Sequence, residues 1–234
     1  RVVVVASGWN GENGRKRLWQ FFLPLFGDDD PRIRELAYLE LGRAPYAAIR
    51  RLGRTAPRDD YGRLFADPKF LQWRSLAILL RAQSADPFDK RCIRESFVNA
   101  NRYAITTNIT ALAAAAIEVD GVTVIDYIDK NFCCRTDRSI EEIRAILSAL
   151  SMHASIADSR LREQVVSSYR LLLGSHATVA ARVAEDLSAW GRYDLKTEFA
   201  GVLNSNHKLT PGQRRSITNY LRAAEKEEIA FGPQ

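Results

Sequence analysis

The chain has 234 residues, of which 46% are hydrophobic and 26% charged, so it is long enough to bury a core without disulfides or a metal. No stretch approaches the roughly 18 unbroken apolar residues that a membrane span requires. The formal charge of +6 would suit a polyanionic partner, but 28 acidic residues are interspersed among 27 Arg and 7 Lys, which indicates solvated helix faces rather than one phosphate-binding stripe.

The N-terminal residues differ from the rest of the chain. The β-branched run from Arg1 to Ser7 and the glycine-rich segment that follows predict a strand and a turn over residues 1–14. Strand, glycine-rich loop and helix also follow one another in dinucleotide sites, but the spacing of Gly8, Gly11 and Gly14 is wrong for one, and no second parallel strand follows. We expect this segment to cap the end of a helical domain.

From residue 15 onward the pattern is helical. A capping residue followed by proline predicts a helix start at Asp30-Pro31, Asp67-Pro68, Asp86-Pro87 and Thr210-Pro211. Asp120-Gly121 marks a helix end. Helices are expected over Arg15 to Phe26, Pro31 to about Arg43, Tyr46 to Leu52, Asp59 to Ala66, Pro68 to about Gln83, from Pro87 onward, and over Ala104 to Val119.

Apolar side chains at helical spacing mark the predicted core of the later helices. The clearest stripe consists of Ile140, Ile143, Ile146, Leu147 and Leu150. Further stripes are Val165, Tyr169, Leu172 and Leu173; Val179, Val183, Leu187 and Trp190; and Ile217, Tyr220 and Leu221. About a dozen helices with short connections form either a large bundle or a stacked solenoid. The Asp-Pro start recurs after 37 residues, which favours one solenoid domain of about six helix pairs over residues 15–234.

Two segments, Gly27 to Ala44 and His176 to Trp190, resemble HEAT-type helices. In that family a short turn with Asp and Pro precedes a helix that carries Val or Ile, then Arg, then Leu and Ala toward the core. The resemblance implies an all-α superhelix with a binding surface, and it implies no catalytic residue and no cofactor. The stretch from Tyr38 to Tyr46 is also similar to bacterial HEAT-like proteins, many of which carry export signals, so it implies an exported protein.

The cysteines and the N-terminus also concern the expectation that the protein is exported. Cys92 stands alone and Cys133 adjoins Cys134, a spacing that fits neither a zinc site nor a redox pair. We expect buried thiols, with a bridge from Cys92 to one of the adjacent pair as the alternative in an exported protein. The start at Arg1, with an apolar run too short for a signal-peptide core, is what removal of a leader would leave.

The strongest candidate for an anion-binding patch is a run of five arginines without an acidic residue over sixteen positions, interrupted by Tyr46. Guanidinium groups suit the geometry of phosphate and carboxylate. The alternative is that these arginines are solvated positions of one short helix. The arginines are Arg43, Arg50, Arg51, Arg54 and Arg58.

Two aromatic and cationic groups resemble the groove of helical-repeat DNA glycosylases: Trp73 with Arg74, and Trp190 with Arg192 and Tyr193. The Asp that those enzymes carry beside the groove has no convincing counterpart in this sequence. Both tryptophans also lie at core-like spacing on helices, which favours packing between helices.

Metal ligation is weakly indicated. The acidic run Asp28 to Asp30 could bind a hard cation, but helix capping and the helix dipole explain it. His153, His176 and His207 lie far apart and form no catalytic or metal-binding motif.

The sequence therefore predicts a non-catalytic scaffold, without cofactor or metal, that presents a concave helical surface to a protein or peptide. The alternative is a nucleic-acid-binding helical-repeat protein of glycosylase-like type. The candidate binding residues are Arg43, Tyr46, Arg50, Arg51, Arg54, Trp73 and Arg74.

Overall fold

The structure, a computed structural model, describes residues 11–54, 68–156, 159–205 and 208–231. Within these ranges the chain is all-α, as predicted, with twelve α-helices and no strand. The strand predicted for Arg1 to Ser7 and the helix predicted for Asp59 to Ala66 lie outside the described residues. No helix in the described ranges has the length and apolarity needed to cross a membrane.

The chain forms two compact units, Arg1–Asp120 and Gly121–Gln234. The single helical-repeat domain over residues 15–234 stays a prediction. The first unit contains α1 (Gly11–Phe22), α2 (Pro31–Gly42), α3 (Tyr46–Gly53), α4 (Arg74–Arg81), α5 (Pro87–Arg102) and α6 (Ile109–Asp120), with 3-10 helices at Leu23–Gly27 and Pro68–Trp73. The second contains α7 (Val122–Ile128), α8 (Ile140–Ala154), α9 (Ser159–Ser175), α10 (Ala180–Ala189), α11 (Lys196–Asn204) and α12 (Pro211–Phe231), with a π-helix at Asp129–Cys133 and a 3-10 helix at Ala177–Val179.

Three of the four helix starts that were predicted from a capping residue and proline are confirmed, at Pro31, Pro87 and Pro211. Asp30 Oδ1 accepts a hydrogen bond from the Arg32 backbone N–H at 2.9 Å, and Asp86 Oδ1 accepts one from the Phe88 N–H at 2.6 Å. Thr210 and Gln213 form reciprocal bonds, because the Gln213 N–H donates to the Thr210 hydroxyl and the Gln213 side chain accepts from the Thr210 N–H. These contacts satisfy backbone donors that have no partner within the helix.

Three helix boundaries differ from the prediction. The first helix begins at Gly11 rather than at Arg15, so the end of the predicted glycine-rich turn is helical. Residues Pro68–Trp73 form a 3-10 helix, and α4 begins only after it. The predicted helix from Ala104 begins at Ile109, because Ala104 and Asn108 have φ angles of 51° and 59°, which no right-handed helix accommodates.

The core of the first unit is centred on α6. The four consecutive alanines Ala113 to Ala116 are all fully buried, so this helix is enclosed on every side. Both α4 and α5 pack against it. The short methyl side chains permit this close approach, since larger groups would hold the neighbouring helices apart.

The core of the second unit is centred on α9. This helix packs against α7, α8, α10, α11 and the π-helix. Its predicted stripe is confirmed, because Val165, Tyr169, Leu172 and Leu173 are all buried. The stripe on α8 is buried from Ile143 onward, and its first member is half-buried.

The close approach of α3 to the end of α4 at Gly53 predicts an effect on stability. A Cβ atom on Gly53 would lie 2.6 Å from Gln83 Cγ and 2.9 Å from the Leu80 backbone oxygen. Because the backbone oxygen cannot move aside cheaply, we expect Gly53→Ala to lower the free energy of unfolding by about 1 to 3 kcal/mol in urea denaturation.

Gly42 on α2 supplies the matched control, since a Cβ atom there meets no atom within 4 Å. We expect Gly42→Ala to leave stability unchanged or to raise it by up to about 1 kcal/mol, because alanine restricts the unfolded chain. Equal losses in the two variants would contradict the tight packing at Gly53.

Candidate functional site

The arginines of the predicted patch differ in whether they form ion pairs. Arg43 is exposed and pairs with Glu40, with 2.6 Å between its Nη1 and Oε1. Arg50 pairs with Glu118 on α6, with 2.8 Å between its Nη2 and Oε1. Arg51 and Arg54 are exposed and form no ion pair within the part of the chain that the structure describes. Arg58 lies outside the described residues.

Glu118 is the centre of a largely buried polar cluster between α3 and α6. The Tyr46 hydroxyl donates to its Oε2 at 3.0 Å, and Arg50 Nε donates to its Oε1 at 2.9 Å. Burial raises the pKa of Tyr46 well above its usual range, and the charge of Glu118 raises it further, so the hydroxyl remains a donor. Tyr46 and Arg50 therefore connect α3 to α6, and the Arg50 side chain remains 34% exposed.

The other predicted residues, Trp73 and Arg74, lie at the start of α4. The Trp73 ring stacks on Tyr38, with 5.1 Å between ring centroids and 22° between planes, and Tyr38 in turn lies 4.5 Å from Phe26. Both Trp73 and Arg74 are half-buried. The aromatic ring thus packs between elements of the first unit, which is the alternative that its helical spacing favoured.

The second aromatic and cationic group also consists of residues that contact one another. Trp190 stacks on the buried ring of Tyr169 at 5.6 Å, and Tyr193 lies 5.4 Å from the ring of Tyr220. Arg192 pairs with Glu163 and with Asp194. Trp190, Arg192 and Tyr193 therefore contribute to the packing of the second unit.

The acidic run before α2 caps that helix. Asp30 is its N-cap, and Asp28 Oδ1 accepts from the Asp30 N–H at 2.9 Å. No group of three or more His, Cys, Asp or Glu with metal-binding geometry occurs among the residues that the structure describes.

The three cysteines are free thiols. Cys133 is buried, Cys92 is partly buried and Cys134 is exposed, so the expectation of buried thiols is met for only one of them. Burial raises the pKa of the Cys133 thiol well above its usual value, and Asp129 beside it raises it further. A thiol that stays protonated is a poor nucleophile.

The second unit contains a groove between alternate helices, which the sequence analysis did not find. Its volume is about 450 Å³, and we call it the α8–α10–α12 groove. Its floor is apolar and includes Leu147 and Val179, both almost fully buried. Its polar lining consists of Arg144 and Ser148 on α8, Thr178 before α10, Arg182 and Glu185 on α10, and Gln213 on α12.

Hydrogen bonds fix several of these polar side chains. Arg182 Nη2 lies 3.2 Å from Asp186 Oδ1, and the carboxylate of Asp186 also accepts from the Tyr169 hydroxyl at 2.8 Å. Glu185 accepts from the Ser216 hydroxyl at 3.1 Å. Gln213 Nε2 donates to the Thr178 carbonyl at 3.0 Å. The groove is therefore a shaped surface with held polar groups.

Arg144 is different, because its side chain is exposed and forms no ion pair within the described ranges. The described lining of the groove contains no His or Cys. An apolar floor with a few placed polar groups is the usual lining of a ligand-binding site. No sequence signal marked the groove as a whole, although Val179 belongs to a predicted apolar stripe.

The paired Arg50 and the exposed Arg51 and Arg54 should contribute differently to the stability of the fold. Arg50→Ala removes a partner from the buried Glu118 carboxylate, so we expect the free energy of unfolding to fall by about 1 to 3 kcal/mol. The double variant Arg51→Ala/Arg54→Ala removes two exposed charges and should change it by less than about 0.5 kcal/mol. Urea denaturation measures both, and similar losses would show that the exposed pair also contributes to packing.

Comparison with protein-family models, with curated proteins and with solved structures found no match to this chain. The functional argument therefore starts from the geometry of the groove and of the helices that form it.

Proposed function

We propose that the chain is a non-catalytic scaffold of HEAT-like helix pairs that binds a protein or peptide in the α8–α10–α12 groove. The observation that carries the proposal is the groove itself, in which an apolar floor lies between charged side chains of successive alternate helices. Grooves of this kind recur along stacked helix pairs and give solenoids their extended binding surfaces.

The order of helix packing supports a solenoid within each unit. In the second unit α9 packs against α11, α10 against α12, and α11 against α12, so helices contact their first and second neighbours along the chain. In the first unit α2 packs against α4 and α5 against α6. Stacked helix pairs require this pattern, because each pair buries its apolar faces against the next pair.

Polar contacts in the second unit follow the same alternation. Arg170 on α9 pairs with Glu198 on α11 at 2.7 Å, and Gln164 on α9 donates to Asp126 on α7 at 3.1 Å. The helices α7, α9 and α11 thus form one row, and the groove runs between α8, α10 and α12 of the other row. A row of alternate helices exposes one face to a partner.

The size and lining of the groove suit a peptide segment. Its floor can accept an apolar side chain, while the hydroxyl, amide and charged groups of its rim can bond to a peptide backbone. A volume of about 450 Å³ accommodates a few side chains rather than a folded domain. The partner would therefore present an exposed segment.

Blocking the groove tests the proposal. Ser148 lines the groove and is exposed, so Ser148→Trp should fill the groove without disturbing the core. A random dodecapeptide library displayed on phage would be selected against the wild-type protein. We expect the selected peptides to bind Ser148→Trp at least about tenfold more weakly in fluorescence anisotropy, a loss of about 1.4 kcal/mol.

The control is Ser167→Trp, which places the same ring at an exposed position on α9, in the other row of helices. It should leave peptide affinity unchanged. Peptides that bind Ser148→Trp as tightly as the wild type would contradict the groove as the site. A selection that enriches no peptide would contradict the scaffold function itself.

Nucleic-acid binding is the second candidate, and the observation that favours it is the pair Arg51 and Arg54, which are exposed and form no ion pair with another described residue. Many other arginines in the described ranges are paired with carboxylates, which weakens the field of the formal +6 charge.

A salt titration distinguishes the two functions. We expect the protein to pass through heparin at about 0.15 M salt, because phosphate binding needs several unpaired cations together. Retention, with a salt slope on duplex DNA that falls by about 2 in Arg51→Ala/Arg54→Ala, would favour the nucleic-acid function instead.

A further inference from the structure

The charges of the α8–α10–α12 groove are unevenly placed. Arg144 on α8 and Arg182 on α10 both line it, so two guanidinium groups flank the space between these helices. Glu185 lies about one turn further along α10, and the Ser216 hydroxyl on α12 binds it. The groove is therefore basic where α8 faces α10 and acidic where α10 faces α12.

Two buried residues hold the side chain of Arg182 in place. Asp186, which is 7% exposed, pairs with it, and the fully buried Tyr169 donates to the same carboxylate. One contact to Asp186 leaves most of the five guanidinium N–H donors of Arg182 for another acceptor. Its side chain remains 59% exposed, so these donors are accessible from the groove. Asp186 is a positioning residue, because it acts on a ligand only through Arg182.

Arg144 completes the arrangement. It forms no ion pair among the described residues, and Ser148, one turn away on the same helix, donates its hydroxyl hydrogen to the Arg144 carbonyl. An anion between Arg144 and Arg182 would reduce the repulsion of the two cations and would accept hydrogen bonds from both. A single guanidinium can donate two parallel hydrogen bonds to a carboxylate, and a second guanidinium adds further donors and charge.

We propose that the segment bound in the groove is an acidic peptide, whose Asp or Glu side chain lies between Arg144 and Arg182 and whose neighbouring apolar side chain lies on Leu147 and Val179. This inference rests on the proposed scaffold function. A nucleic-acid strand fits less well, because Glu185 would repel successive phosphates and the apolar floor offers them no donor.

Three fluorescently labelled peptides test the ligand class by fluorescence anisotropy. The first is a heptapeptide in which Leu and Glu alternate, and in the other two Gln or Lys replaces each Glu. The acidic peptide should bind the wild-type protein at least about tenfold more tightly than the other two, since Gln removes the charge from the hydrogen bonds to the arginines and Lys brings a like charge close to them. Raised salt should weaken that binding.

Charge variants test the residues. Arg144→Gln and Arg182→Gln should each weaken binding of the acidic peptide about tenfold, whereas Glu185→Gln, which removes a like charge from the groove, should strengthen it. Asp186→Asn should weaken binding less than Arg182→Gln. Because Asp186 is buried, Tyr169→Phe serves as a second variant that loosens the same carboxylate while keeping the ring, and its thermal midpoint shows whether it folds.

The outcomes separate this inference from the proposed function. Tight binding of the Gln or Lys peptide, lost in Ser148→Trp, would overturn the acidic ligand and leave the groove as a peptide site. Failure of all three peptides would overturn the acidic ligand, while the random-library selection judges the scaffold function by itself. Binding of an oligothymidylate that is lost in Arg144→Gln and Arg182→Gln would overturn the inference in favour of nucleic acid.

Discussion

The hydrogen bond from the Tyr169 hydroxyl to the Asp186 carboxylate connects the core of the second unit to its surface. Tyr169 is fully buried on α9, the helix against which most of this unit packs. Burial raises the pKa of its phenol well above the usual value, and the charge of Asp186 adds to this, so the hydroxyl keeps its proton and remains a donor. The position of Asp186, and through it the position of Arg182 in the groove, follows from the packing of α9.

The first unit also contains a carboxylate that is bound by a tyrosine hydroxyl and an arginine, but there the arginine connects two helices. There a carboxylate, Glu118, accepts from the Tyr46 hydroxyl and pairs with Arg50. Both contacts cross from α3 to α6, so the arginine joins two helices. In the second unit the arginine and the carboxylate lie one turn apart on α10, and the guanidinium extends toward solvent. A tyrosine, a carboxylate and an arginine therefore join two helices in the first unit and position an exposed arginine in the second.

The sequence predicted the features that depend on neighbouring residues. Helix content, the Asp-Pro caps and the apolar stripes follow from local propensity, from capping geometry and from the helical period. The arginine patch could not be judged in this way, since the acid that pairs with Arg50 is 68 residues away. The start of α6 was also beyond local patterns, because Ala104 and Asn108 carry no glycine signal for a left-handed backbone, and the Asn108 side chain accepts a hydrogen bond from Ser75, 33 residues earlier. The groove was missed for the same reason, as its lining extends from Arg144 to Gln213.

The buried alanines of α6 have a consequence for how this chain can vary in evolution. Positions 113 to 116 point to every side of the helix, and none of them has solvent into which a longer side chain could extend. Each added methylene would have to displace α4 or α5, whose spacing these methyl groups set. Substitutions at the surface of the first unit can accumulate independently, but these four positions can change only together with the helices around them. Sequences related to this one should therefore keep small residues there, even where the exposed surface has diverged.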